Sequence, residues 1–246
     1  MKISGRIICI ALLLGLWNID NVVAQSAIIS GRDLIHEMHD RHTSQWYRSM
    51  CFSQKVLVFR NDSITSEDVW HEAYQSPGNL VIKYSDWDSG NGMLFSKDSL
   101  YVFKNGKLAQ QIYKIHDLVV LGLDINIQRP EETIFQAEKL GYELSKVEKT
   151  KIDGRSYWVV GDTTKLCFWV DENLLFYKMR RVAGSSFREI EFAKYEKIDG
   201  KPVATVIKFY NGPGKLEIIE EYFNIRLDCE VPPAIFNPSN FNQARW

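Results

Sequence analysis

After its first two dozen residues the chain has no hydrophobic run approaching the roughly 18 apolar residues of a membrane-spanning helix. It also lacks an excess of one charge, with 30 Lys and Arg against 31 Asp and Glu. A nucleic-acid footprint needs a basic stripe, and none is visible, so no nucleic-acid partner is expected. Cysteine is scarce, four in 246 residues, and no two are spaced as CxxC. That spacing would mark a redox or cysteine-held zinc site. No G-x-S-x-G nucleophile elbow occurs; the nearest run, Gly184-Ser185-Ser186, reads as a loop. No glycine loop opens a helix as a phosphate cradle does. Linkers, repeats and low-complexity segments are missing too. These absences leave binding, rather than catalysis, as the expected activity.

The N-terminus addresses the compartment. Lys2 and Arg6 precede an apolar run at 7–17 that is too short to span a bilayer. A polar break follows, and Val22-Val23-Ala24 stands before Gln25, small residues that suit signal peptidase. Residues 1–24 are therefore expected to be a signal peptide cleaved after Ala24, and 25–246 a single exported domain in the periplasm. Cys9 lies inside the apolar run, with no room for a cleaved signal before it, so no lipid anchor is expected. Removing Lys2, Arg6 and Asp20 leaves 28 basic against 30 acidic residues. Cys51, Cys167 and Cys229 remain, an odd count that allows at most one bridge plus a free thiol. The apolar settings Met50-Cys51-Phe52 and Leu166-Cys167-Phe168 favour buried thiols over a bridge.

What the chain does have is strands punctuated by tight turns. Asn105-Gly106, Asp153-Gly154 and Asp199-Gly200 each separate two strand-like stretches. Such pairs tolerate the positive φ angles of two-residue hairpins. Regular hairpins predict an antiparallel meander, since a parallel sheet needs helical crossovers. Two helices interrupt it. The first opens at Ser30, whose spacing to Asp33 resembles a capping box, and runs to about residue 42 with Leu34, Ile35 and Met38 on its apolar face. The second opens at Pro130, carries Glu131 and Glu132 in its first turn and stops at Gly141. The run at 118–123 is apolar throughout, and its period does not choose between strand and helix.

Several stretches, at 80–82, 100–103, 157–160 and 174–177, are apolar at both parities. A sheet with one wet face would alternate. Two helices are too few to cover about ten such strands, so one face meets something other than water. A curved sheet around an apolar cavity satisfies the pattern, and so does a sheet folded into a dry sandwich.

The motifs also have a familiar order. Phe52-Ser53-Gln54 opens the first long strand, then come 76–84 (SPGNLVIKY), 98–103 (DSLYVF) and 232–238 (PPAIFNP). The series resembles the LolA-like family of outer-membrane lipoprotein-sorting proteins over most of residues 25–246, nearest to divergent members opening with a segment like GRDLIHEMHDR. The resemblance implies a mainly β (α+β) fold, an unclosed antiparallel β-barrel or half-barrel with helices covering its open side and a cavity for acyl chains. Members carry lipoproteins across the periplasm; relatives bind other lipids or regulate stress signalling. One position departs. The family commonly has Arg-Pro before the third strand, and that arginine helps hold the closed state. Here Ser76 precedes Pro77, and serine has no guanidinium fork. The release mechanism of the typical carrier is thereby put in question, and the cavity is not.

The expected function is a non-enzymatic carrier, without cofactor or metal, that buries acyl chains of lipids or lipoproteins. Trp70, Tyr74, Leu80, Ile82 and Tyr84 are the candidate cavity residues, because large rings with polar tips suit such a space. Leu34, Met38, Leu118 and Leu121 are the candidate lid and helix contacts. Partner proteins at the inner and outer membranes and a monomeric state complete the expectation. The alternative is a sensor or protein-interaction module on the same fold. A third reading, a metal hydrolase on His36, His39 and His42, meets a helix one residue short of the H-E-x-x-H spacing. Asp86, Asp88 and Asn91 lack the later bidentate glutamate of a calcium loop and read as a polar turn.

Overall fold

The computed structural model describes residues 28–246. The expected signal peptide and its cleavage site lie outside the described residues. The first half of the chain supplies β1 (Ser49–Arg60), β2 (Ser63–Gln75), β3 (Asn79–Tyr84), β4 (Gly92–Ser96), β5 (Ser99–Lys104) and β6 (Lys107–Tyr113). The second half supplies β7 (Val147–Ile152), β8 (Arg155–Asp162), β9 (Leu166–Asp171), β10 (Phe176–Ala183), β11 (Ser186–Ile198), β12 (Lys201–Asn211) and β13 (Leu216–Leu227). All pair antiparallel in one 13-stranded sheet of order β6-β5-β4-β3-β2-β1-β13-β12-β11-β10-β9-β8-β7. Each half is a meander, and the pairing of β1 with β13 joins them.

The three predicted turns form as expected. Asn105 and Gly106 sit at φ 49° and 75°, Asp153 and Gly154 at 50° and 82°, and Asp199 and Gly200 at 49° and 79°. These left-handed pairs match the twist of the flanking strands, which is why the hairpins close in two residues. At 174–177 the expectation needs trimming, because Leu174 has φ 61° and turns the chain before β10 begins at Phe176.

The sheet does not close. Its edges are β6 and β7, and the chain between them carries α2 (Asp117–Gly122), a single 3-10 turn (Asp124–Asn126) and α3 (Pro130–Leu140). The open side is thus spanned by the segment that links the two free edges. The ambiguous run at 118–123 is largely helical. α2 ends against β11, where a Cβ on Gly122 would lie 2.6 Å from the Phe192 ring, so only glycine allows this approach. The first helix, α1 (Gly31–His42), packs beside them. Its Ser30 Oγ accepts from Asp33 N at 3.2 Å and donates to Asp33 Oδ2 at 2.8 Å, satisfying otherwise orphaned groups at the helix start. α3 has Pro130 in its first turn and ends at Gly141 in the left-handed region, φ 96°.

The doubly apolar strands are explained face by face, and at 157–160 the outer residues Tyr157 and Val159 pack with Cys167 and Trp169 in a cluster of their own. On the concave face, Leu34, Ile35, Met38 and Leu121 meet Phe168 and Phe176 in one buried cluster. Tyr47, Met50, Tyr74, Leu80 and Ile82 form a second. On the convex face, Cys51, Ala73, Val81, Leu94 and Phe103 are covered by the C-terminal strap, through Ile235, Phe236 and Phe241. The Phe103 and Phe241 rings stack at 3.9 Å. A disulfide from Cys51 to Cys229 holds the strap where it leaves β13. Buried thiols were the expectation for this pair; the pairing of β1 with β13 instead brings two residues 178 apart in sequence to a Cα separation of 6.3 Å, within bridging range. Cys167 remains a free, buried thiol, and burial pushes its pKa up to about 12, which makes it a poor nucleophile.

Candidate ligand cavity

Alternation along a strand sends every second side chain to the concave face. From β2 these are Trp70, Glu72 and Tyr74; from β1, Phe52 and Gln54; from β13, Glu220 and Tyr222. Of these, Phe52, Trp70, Glu72, Glu220 and Tyr222 line a cavity of about 690 Å³ together with Ile82, Leu118 and Phe192 among others, while Gln54 and Tyr74 are buried and do not line it. That size falls within the range of sites for drug-sized or single-chain ligands, about 300–1,000 Å³. The lining is mostly apolar, and burying a hydrocarbon there yields about 0.8 kcal/mol per methylene.

The polar exceptions are few. Glu72 is 4% exposed and lines the cavity, and Glu220 lines it from β13. Glu220 is partly accessible on the surface of the folded chain, but the surface it shows faces this cavity. Loss of hydration raises the pKa of both carboxyls, and for Glu72 repulsion from Glu220 adds to it. The amide of Gln54 offsets part of this at Glu220, while Gln54 Oε1 stays buried without a donor. His116 stands at the start of α2 with its ring 4.4 Å from Phe95, and its Nδ1 is also unpartnered. Burial lowers its pKa to about 4, so it is neutral at physiological pH. Lys114, Lys139, Arg181 and Arg188 contribute to the lining as well.

A second polar feature ties the helical segment to the sheet. Asp124, fully buried on the 3-10 turn, accepts from Tyr74 Oη and Ser76 Oγ on Oδ1, both at 2.7 Å. Its Oδ2 accepts from the Gly78 backbone N at 2.8 Å. Burial pushes the carboxyl up to about 6 against the pull of these three donors, so it is ionised at neutral pH. The turn between β2 and β3 is therefore latched to the segment that covers the cavity.

No family model matches the chain, and no curated protein matches its sequence. Solved structures do match. A DUF1329 family protein from Desulfovibrio piger superposes with a TM-score of 0.58 at 15% identity, covering 84% of this chain and 95% of that one. A LolA superfamily protein from Nitrosomonas europaea gives 0.55 at 16%, covering 82% and 97%. A domain from Vibrio parahaemolyticus, described as outer membrane lipoprotein-sorting, gives 0.56 at 15%, covering 86% and 98%. The fold is LolA-like.

In this LolA-like half-barrel, Trp70, Leu80 and Ile82 line the cavity. Tyr84 packs its ring 4.4 Å from Trp70, and Tyr74 is engaged with Asp124. Of the helix candidates Leu118 lines the cavity, whereas Leu34, Met38 and Leu121 are packed in the core behind it. Ser76, before the third strand, joins the sheet to the helical segment by donating its hydroxyl to Asp124. Sequence reasoning overlooked Asp124, Glu72, Gln54 and Glu220. For Glu72 the signal was available: a carboxylate at the parity of Trp70 and Tyr74.

The residues raised for metal chemistry are dispersed. His36 is exposed, His39 Nδ1 lies 3.1 Å from Asp40, and His42 Nε2 contacts the Asn173 carbonyl at 3.0 Å. Among the described residues no group of three or more His, Cys, Asp or Glu is placed to hold a metal. Asp86 and Asn91 accept backbone N–H groups at 2.9 Å, and Asp88 pairs with Arg245. Among the described residues no helix is long and apolar enough to cross a membrane.

Proposed function

We propose that this protein is an exported, non-catalytic carrier that buries acyl chains of lipids or lipoproteins between its concave sheet and the α2–α3 segment. The observation that carries the reading is the apolar cavity of about 690 Å³ beneath a segment tied to the sheet by the Asp124 latch and by the Asp117–Arg181 ion pair. Trp70, Leu80, Ile82 and Leu118 contact the chain, and displacement of the α2–α3 segment releases it. The disulfide and the N-terminal leader both suit the periplasm, where thiols oxidise. Outer-membrane lipoprotein sorting, with partner proteins at both membranes, is the finer version of this reading. Native mass spectrometry and lipid extraction of the purified 25–246 chain are expected to find a bound or bindable acyl lipid. Absence of any such lipid, natural or added, refutes the carrier.

A sensor or interaction module is the second reading, favoured by the edge strand β6, which leaves Leu108, Ile112 and Tyr113 exposed. A stable protein partner recovered in the absence of lipid binding supports it over the carrier.

A further inference from the structure

Two carboxyls, Glu72 and Glu220, stand near each other on the wall of an otherwise mostly apolar cavity. Gln54 on β1 faces Trp70 across one strand pair and Tyr222 across the other. Glu72 and Glu220 are the next inward residues on β2 and β13, to either side of that row. Among the described residues, Glu72 makes no hydrogen bond to protein although it is nine-tenths buried. Gln54 Oε1 is buried and has no donor. A core built only for packing would not turn an unpaired carboxyl onto the cavity, nor leave Gln54 Oε1 without a donor at a cost on the order of 1–3 kcal/mol.

The surroundings narrow the missing partner. Phe52 and Tyr222 have ring centroids 4.4 Å apart, and Trp70 and Tyr84 the same. Trp70 and Tyr222 come from the strands that carry the carboxyls, Phe52 from β1 between them and Tyr84 from β3 beside β2. Tyr84 and Tyr222 are close enough to both carboxyls for each to raise the tyrosine pKa, and although Lys114, Lys139, Arg181 and Arg188 line the same cavity, none of them forms an ion pair with either carboxyl. Acidic acceptors without cationic partners, beside the faces of aromatic rings, suit a positively charged donor.

We propose that this wall is a subsite for a protonated amine at one end of an aliphatic ligand, with Glu72 and Glu220, which both line the cavity, as its counter-ions. The ligand class is then an amine-bearing amphiphile, its chain in the apolar part of the cavity. In the empty cavity burial favours the neutral carboxyls; an arriving ammonium favours ionisation of one of them. The inference rests on the reading that the cavity holds a hydrocarbon chain.

Calorimetric titration of the 25–246 chain with dodecylamine, dodecanol and dodecanoate at pH 7 tests it. Dodecylamine is expected to bind about tenfold or more tighter than the other two, the low end of what a desolvated charge pair contributes. The Glu72→Gln/Glu220→Gln variant keeps the shape of the wall and is expected to bring the ratio of dodecylamine to dodecanol affinity to about one. Dodecanol or dodecanoate binding as tightly as the amine overturns the subsite and leaves the carrier standing, as does a double variant that retains the preference. Failure of all three to bind overturns both. The comparison of probes on the unaltered chain needs no variant to fold.

Discussion

Asp124→Ala is the sharpest probe of how the cavity is kept covered. The substitution removes one acceptor from three donors: Tyr74 Oη, Ser76 Oγ and Gly78 N. Tyr74 is fully buried and has no water to turn to, so its unpaired hydroxyl costs about 1–3 kcal/mol. Ser76 and Gly78 are half-buried and recover part of their loss from solvent. Relief from burying a charge offsets part of the remainder. The net expectation is about 2–4 kcal/mol, felt first where the 3-10 turn meets the β2–β3 turn. If that cost falls on local opening of the α2–α3 segment, its population rises roughly thirty- to several-hundred-fold. Hydrogen exchange read by mass spectrometry over residues 114–146 measures this directly. Tyr74→Phe, which removes one donor and leaves two, is expected to show a smaller effect of the same sign. Unchanged protection in that segment, together with chemical stability within about 0.5 kcal/mol of the parent, would refute the latch.

Three further outcomes follow from separate parts of the molecule. Cys229→Ser opens a cross-link between residues 178 apart and is expected to cost about 2–5 kcal/mol and to expose residues 229–246 to limited proteolysis; an unchanged Tm with a resistant strap contradicts the role given to the disulfide. His116 takes up its proton near pH 4 in the folded chain against 6.5 as its ordinary value, so its contribution to stability is complete above pH 6.5 and is lost as pH falls through about 4. His116→Leu is therefore expected to flatten the difference in stability between pH 6.5 and 4, and denaturant titrations at the two pH values, compared with the parent, would expose an error in sign. Gly122→Val forces a branched side chain toward the Phe192 ring and is expected to cost about 1–3 kcal/mol by thermal unfolding, with a neutral result counting against the close approach of α2 to β11.

Much of the scaffold was legible because its causes are local. Asn-Gly and Asp-Gly pairs carry their turn geometry with them, and Ser30 with Asp33 or Pro130 with Gly141 mark helix ends through bonds that span only a few residues. The doubly apolar strands correctly indicated that neither face of much of the sheet is simply wet. That argument did not distinguish a cavity on one side from a strap on the other, and both are present. Cys51 and Cys229 illustrate the limit: nothing within a few residues of either shows that the first and last strands are neighbours.

The sequence by itself determined an antiparallel meander interrupted by helices, because hairpin turns and helix caps are short-range physics. Only the tertiary structure decided which inward positions share a wall. The two meanders join through β1 and β13, and that single long-range pairing puts Glu220 on the same wall as Glu72 and brings Cys51 to Cys229. The closing of the helical segment onto Asp124 likewise depends on where the free edges β6 and β7 come to rest, which no local preference along the chain specifies.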